Sequence, residues 1–372
     1  MAYSTKLSLP ELKIWVDNYV DLMKISDSSF IATANNVVGL LDKVGKIFTL
    51  DTSFTQDKLA QFEGEYLSFG KTIEEWYEDL ILPTDYDSTG AGALTPDDPT
   101  YRPVYYSHSL GRQKIKTTIR NNNIERAVHN EGQLGEIVSM QFKRLEDSMA
   151  QYRYAVKREM IAKFIELAED EMTSSTAFAK NTAYAVNTLL TSNNEHGIVV
   201  KPIASGSALT WSNAKAGGYI IVLDLIEEID RPTDTATGEA FIKALKKDVE
   251  IASDVSEGHS LNGNTLGVVG ELVILVKQGI LPELEVETFA GAFNRGDVAL
   301  PARVITVKDF GSANDNYFAV VMDSRAMRLH NTYNATRENF NGDGDFLNVF
   351  RHTEDTAFIS RNCFFKAYKV GA

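Results

Sequence analysis

The chain has a single cysteine, Cys363, in 372 residues, so no internal disulfide can form. Its neighbours Phe364, Phe365 and Tyr368 mark the thiol as a small buried hydrophobe. The opening residues, MAYSTKLSLPELK, lack a basic n-region and an apolar h-region, so no secretory signal is expected. No apolar run is long enough to span a bilayer. Cations are also in deficit: 37 Lys and Arg stand against 51 Asp and Glu, a formal charge of -14. Phosphate attraction rests on Lys and Arg, so avid nucleic-acid binding over the whole surface is disfavoured; enclosing nucleic acid without gripping it is not. With 44% hydrophobic and 24% charged residues, the composition is that of a globular chain of two or three structural units, made or assembled in a cytoplasm.

Motifs of catalysis are missing as well. There is no Walker sequence, no glycine fingerprint between a strand and a helix, and no nucleophile elbow. The histidines never take the i, i+4 spacing around a Glu that metalloproteases use. Cys363 with His352 is a conceivable nucleophile and base, but apolar neighbours raise a thiol pKa instead of lowering it. Asn341, Asp343 and Asp345 resemble the start of a calcium loop, yet Phe346 stands where glycine is needed and His352 where a bidentate Glu is needed. An enzyme using Asp343 and Asp345 on a divalent ion is kept as an alternative; a plain hairpin turn is the preferred reading. Glu74, Glu75 and Glu78 could hold an acid and base pair, but adjacent strand residues face opposite ways. Glu75 has Tyr77 as a same-face aromatic neighbour, which points to a structural role. No catalytic residue, cofactor or metal is expected.

What the chain does have is one very long hydrophobic period. From Glu131 to Glu171, Leu134, Val138, Phe142, Leu145, Met149, Tyr152, Val156, Met160, Phe164 and Leu167 follow at spacings of three or four, one stripe of an α-helix. Lys143, Arg144, Glu146, Lys157, Arg158 and Glu159 are expected on the opposite, solvated face. Such a helix is about 55 to 60 Å long, more than one compact core covers. It must cross a sheet or run along a neighbouring subunit, unless it breaks near its middle.

Before it, Ser8, Pro10 and Glu11 open a helix to about Ser26 with the stripe Leu12, Trp15, Val16, Tyr19, Val20 and Met23. A second helix is read at Ala32 to Phe48. From Glu65 to Thr118 the period changes to two: a strand at Gly70 to Tyr77, a Gly/Pro/Asp-rich tip at Asp85 to Pro103, and a returning limb at Val104 to Ile119. The outgoing limb is acidic and the returning limb basic. Glu74, Glu75, Glu78, Asp79, Arg112, Lys114, Lys116 and Arg120 are therefore candidate contacts between subunits, since opposed fields fix register. After the long helix, Tyr219 to Ile229 is a strand or a helix. Gly238 to Ser253 is a helix, Gly267 to Val276 and Val304 to Val307 are strands with a Leu284 to Phe293 helix between them, and Tyr317 to Leu329 and Phe346 to Tyr368 supply closing strands.

Four stretches carry a resemblance. They are ATANNV at Ala32 to Val37 with LDKVGKI after it, GKTIEEWYED at Gly70 to Asp79, LEVETFAGAFN at Leu284 to Asn294 with VITVKDFG at Val304 to Gly311, and the closing AFISRNCFFKA. Together, in order and spacing over most of the chain, they resemble the major capsid proteins of small short-tailed, phi-29-like bacteriophages, which have the HK-97-type shell fold. The resemblance implies an α+β fold with an N-terminal helical arm at 1–66, an extended E-loop hairpin at 67–122, a peripheral domain with a spine helix at 123–218, an axial domain at 219–311, and return strands of the peripheral domain at 312–372. It implies hexamers and pentamers of an icosahedral or prolate shell around double-stranded DNA held without sequence-specific contacts. It also implies a scaffolding protein and a portal as partners, assembly in the host cytoplasm and no membrane association. The immunoglobulin-like domain that some relatives carry at the C-terminus is not expected. A cellular nanocompartment shell of the same fold is the remaining alternative.

Overall fold

A computed structural model of the chain describes residues 57–78, 101–106, 108–120, 131–173, 175–265, 267–268, 270–280, 302–344 and 346–371. The helices expected at residues 8–26, 32–48 and 284–293 lie outside this set, as do Asp79 and most of the 85–103 tip.

The long period folds as expected into one helix, α1 (Glu131–Thr173), of 43 residues without interruption, about 65 Å at 1.5 Å per residue. Its C-terminal half buries Val156, Met160, Ile161, Phe164, Ile165 and Ala168. One expectation on this helix is overturned. Lys157, placed on the solvated face by its charge, has no exposed surface. It stands one position beyond Val156, and its ammonium lies 2.5 Å from both Asp57 Oδ2 and Glu63 Oε2. Segment 57–67 covers this side of the helix and is tied to the strands by Gly64 N–H donating to Leu329 O at 2.9 Å.

The strands in chain order are β1 (Ile73–Glu78), β2 (Tyr101–Tyr106), β3 (His108–Arg120), β4 (Thr176–Ala177), β5 (Leu189–Ser192), β6 (Glu195–Val199), β7 (Ile220–Val222), β8 (Ile226–Ile229), β9 (Ser256–Glu257), β10 (Asn264–Thr265), β11 (Leu272–Lys277), β12 (Ala302–Val307), β13 (Tyr317–Asp323), β14 (Met327–Asn341), β15 (Phe346–Ile359) and β16 (Phe365–Val370). Two further helices are α2 (Trp211–Ala216) and α3 (Thr235–Ala252). The central sheet has the order β12-β11-β13-β16-β8, parallel at its two edge pairs and antiparallel inside.

Both faces of this sheet are covered, which is why β11 reads as an unbroken apolar run. Val273, Leu275, Val320, Met322, Phe365 and Ala367 pack with α1, and the Phe164 and Phe365 rings stack at 4.1 Å. Leu272, Ile274, Val276, Val321 and Tyr368 pack on the other face against Phe241, Ile242, Leu245 and Val249 of α3. A register shift between Tyr317 and Ala319 turns Phe318 and Ala319 to the same side. The α3 helix starts where Asp234 and Thr237 cap each other reciprocally. Because β8, β11 and β12 share this sheet with β13 and β16, the expected boundary at 311/312 runs through one sheet.

The α3 side of the sheet also holds charge. Lys366 is fully buried and bonds Asp224, with Glu227 at 3.6 Å. Burial opposes the charge of Asp224, but His259 and the Lys366 ammonium outweigh it and hold the carboxyl well below its usual range. Burial raises the Asp248 carboxyl, which accepts from Tyr368 Oη at 2.5 Å.

The stretch at 219–229 is neither one strand nor a helix. It breaks at residues 223–225 and supplies β7 to a small sheet of order β4-β5-β6-β7 and β8 to the central one. The break is fixed by Leu223 N–H donating to His196 O and Asp224 N–H to Gly258 O, each at 2.8 Å. Gly258 has φ +85°, and a Cβ there would sit 2.2 Å from Val222 O, so the close approach requires glycine. The small sheet has its own core of Tyr184, Leu190, Val199, Ile203, Trp211, Ala214 and Ile220. Its β5–β6 turn uses Asn193 and Asn194 at φ 54° and 62°.

The returning limb of the hairpin is also corrected: β2 pairs with β1, while β3 joins β14 and β15 in the order β14-β15-β3. Alternation continues through residues 104–119, so the period carried no mark of the change of sheet. Two compact units are distinguished. The larger includes the described parts of Thr55–Ile115, Ser148–Arg337 and Phe350–Ala372, and the smaller those of Lys116–Asp147 and Glu338–Val349.

Candidate assembly surface at the root of the hairpin arm

The β1–β2 ladder pairs Ile73 with Tyr106 and Glu75 with Val104, antiparallel throughout. A two-stranded ribbon is marginal alone, and here its root is fixed by two carboxylates. Glu75 points inward: its Oε2 accepts from Tyr106 Oη at 2.9 Å and its Oε1 from Ser360 Oγ at 2.5 Å. Tyr106 in turn accepts from Arg361 N–H at 3.3 Å and meets Phe358 edge-on at 4.9 Å. Burial first, then the Glu75 charge, pushes the Tyr106 phenol far above its ordinary value, so it stays a donor.

The second carboxylate is Glu354 on β15, only 5% exposed. Lys71 Nζ and Ser109 Oγ, the latter at 3.2 Å, donate to it, and an Arg112 nitrogen lies 3.6 Å away. The Arg112 guanidinium sits 4.1 Å over the Tyr333 ring. The Lys71 hydrogen bond leads the causes that hold the Glu354 carboxyl below its ordinary value of about 4.5, against the effect of burial. A carboxyl depressed on folding stabilises above its ordinary value, and that stabilisation is lost as pH falls through the lower folded-state value. The stability difference between the native chain and Glu354→Gln is therefore expected to shrink as pH drops below about 4.5. Denaturant midpoints at pH 7 and in acid measure it; an unchanged gap would contradict the assignment.

Loop 360–363 gathers the root. Ser360 N–H donates to Ala326 O at 2.8 Å, Asn262 N–H to Arg361 O at 3.0 Å, and the Arg361 guanidinium bonds Glu171 near the end of α1. Cys363 is half-buried, and burial pushes its thiol up to about 11, the wrong direction for a nucleophile.

The outer face differs. Glu74 is exposed, and so are Tyr66 at 57%, Phe69 at 96% and Trp76 at 62%. Lys114 is exposed on β3 with its ammonium 5.6 Å from the Phe350 ring centroid. In the smaller unit Lys116 and Arg120 are exposed on the same strand, beside a Thr118 Oγ1 to Asn348 Oδ1 hydrogen bond of 2.7 Å. Of the sequence candidates, Glu75 and Arg112 thus have charged or hydrogen-bonding partners within the chain, and Lys114 lies against the Phe350 ring. Glu78 pairs with Tyr101 in the ladder, and Asp79 lies outside the described residues. Lys71, Tyr106, Ser109, Glu354, Ser360 and Arg361 were missed; the one hint was the charged pair Glu354 and Asp355 inside a strand pattern.

The metal alternative finds no geometry. Asp343 is exposed in the β14–β15 turn, where Asp343 N–H and Gly344 N–H donate to Asn341 Oδ1 at 3.0 and 2.9 Å. Asp345 lies outside the described residues. Among the described residues no cluster of His, Cys, Asp and Glu could hold a metal ion, and no helix is long and apolar enough to cross a membrane.

A projecting ribbon fixed at its root, a long unbroken helix and a sheet covered on both faces make up a mixed α+β fold of the kind seen in phage capsids. A chain in the capsid structure of Staphylococcus phage Andhra superposes with a TM-score of 0.55 at 10% identity, over 84% of this chain and 83% of that one. A chain in the structure of the head fiber and inner core protein of native bacteriophage P68 gives 0.53 at 11% identity, over 86% of each. Identities this low speak for the fold alone. The family is shown separately: the model of the Phi29-like phage major capsid protein family matches residues 16–199 and 232–365, and the chain belongs to that family. It is a shell-forming structural protein of a phage virion capsid. No curated protein matches the chain. Neither fold nor family supports the enzyme or the nanocompartment alternative.

Proposed function

We propose that copies of this chain associate through the hairpin arm into the hexamers and pentamers of an icosahedral or prolate shell around double-stranded DNA. Assembly takes place in the host cytoplasm with a scaffolding protein and a portal. The observation that carries the reading is the division of the ribbon: its inner face is bonded to loop 360–363, and its outer face leaves Trp76 and Glu74 exposed. A ribbon used only for internal packing would have no reason to fix one face and expose an indole on the other. In the same reading residues 1–66 are an N-terminal arm, 67–122 the E-loop, 123–218 a peripheral domain around the α1 spine, 219–311 the axial domain and 312–372 the return strands of the peripheral domain. The acidic balance keeps the shell from gripping the genome. The shell works through contact surfaces and needs no catalytic residue.

Glu74, Lys114, Lys116 and Arg120 are the charged candidates on the next copy's side or on this one. An exposed pair contributes about 0 to 1 kcal/mol, yet a closed shell repeats it in every copy. Reversing Glu74, Lys114 and Lys116 together, or replacing Trp76 by serine, is expected to raise the concentration needed for assembly by roughly fivefold or more. Folding by circular dichroism should remain unchanged. Negative-stain microscopy and light scattering across a concentration series read the result. Shells forming at the wild-type concentration in both variants would remove the arm from the interface.

A further inference from the structure

The chain contains two Asn-Gly pairs, Asn262–Gly263 and Asn341–Gly342, and the fold treats them oppositely. We propose that Asn341 is a site of spontaneous covalent modification in the folded subunit, converting to aspartate and isoaspartate, while Asn262 is protected.

The reaction uses the backbone and water only. The Gly342 nitrogen, after losing its proton to hydroxide, bonds to Asn341 Cγ. Ammonia then leaves with a proton taken from water, and the cyclic imide is opened by a second water at either carbonyl. Negative charge develops on Asn341 Oδ1 during the attack. That oxygen already accepts two backbone N–H groups, from Asp343 at 3.0 Å and Gly344 at 2.9 Å, the arrangement that stabilises an oxyanion. Residues 341–344 are all exposed, so water reaches both the imide and the departing ammonia. Gly342, with no Cβ, sets the smallest steric barrier to closure of the ring.

At the other pair the attacking nitrogen and the side-chain amide are both engaged, and the glycine is buried. The Gly263 N–H is held by Ser260 O at 3.0 Å, so the attacking nitrogen is engaged. The Asn262 side-chain amide donates to Asn362 Oδ1 at 2.5 Å, and its own N–H is bonded to Arg361 O. Gly263 lies close against Ile198 and Ile221: a Cβ placed on it would stand 3.0 Å from the first and 3.5 Å from the second. Folding therefore separates two dipeptides that are chemically alike. Conversion at Asn341 adds one negative charge to every copy, and the isoaspartate form lengthens the backbone at the tip of the β14–β15 hairpin.

The test ages the full chain, free and assembled, at mildly alkaline pH and maps its peptides by mass spectrometry with isoaspartate detection. Asn341→Asp serves as the mass and charge reference. In the folded chain Asn341 is expected to convert about a hundredfold faster than Asn262, the scale of a lost oxyanion donor. In guanidinium the two rates should converge, and Gly342→Ala should slow conversion at 341 alone. Equal rates in the folded chain, or a rate difference that persists in denaturant, would overturn the proposal.

Discussion

Replacing Asp57 by asparagine and Glu63 by glutamine together is expected to destabilise the subunit by about 3–5 kcal/mol, the cost of leaving a buried charge without a partner. Lys157 has no exposed side-chain surface, and its ammonium is 2.5 Å from both carboxylates. Water cannot take their place once they are neutral. The reverse substitution is predicted to be milder. In Lys157→Met a side chain of similar length fills the space, and the carboxylates that remain are 21% and 42% exposed and can be solvated. Arg153 also remains, with Nε 3.2 Å from Glu63 and a second nitrogen 3.6 Å from Asp355. Urea denaturation at constant m-value reads both variants. If the double variant proved no less stable than Lys157→Met, the cluster would not be what holds segment 57–67 on α1.

That cluster also shows where the sequence stopped being legible. A 3.6-residue period is enough to find α1, because the apolar stripe repeats over many turns. It assigns every charged residue to the outside, and so it misplaced Lys157. What buries Lys157 is Asp57, which lies 100 positions earlier in the chain, and no local pattern carries that pairing. The same holds at the arm. The alternation of 70–77 gave the outgoing strand, and the same-face argument gave Glu75 its structural role. Its partners Ser360 and Tyr106 are separated from it by 285 and 31 positions. Glu354, likewise, meets Lys71 across 283 positions. Strands buried on both faces, such as β11, were recognised from β-branched apolar runs. The break at 223–225 was not, since a glycine at 258 and a carbonyl at 196 fix it from outside the segment.

Phe164→Ala is expected to lower stability by about 3–5 kcal/mol, as truncation of a fully buried aromatic does when the surroundings cannot close the void. The ring is completely buried and stacked on Phe365 at 4.1 Å with an 18° angle between planes. Phe365 cannot move to fill the gap, because its N–H donates to His259 O and its strand is paired on both sides, with β13 and β8. Phe164→Leu keeps most of the volume and should cost about 1.5 kcal/mol or less. The comparison with Trp76→Ser separates folding from association. Phe164→Ala should lower the denaturant midpoint of the isolated subunit and reduce shell yield only through the loss of folded copies, so yield should recover on cooling towards the temperature of maximum stability. Trp76→Ser should leave the midpoint alone and keep its assembly defect in the cold. Were the two variants to behave alike in both measurements, the exposed face of the arm and the core beneath α1 would not be independent parts of the subunit.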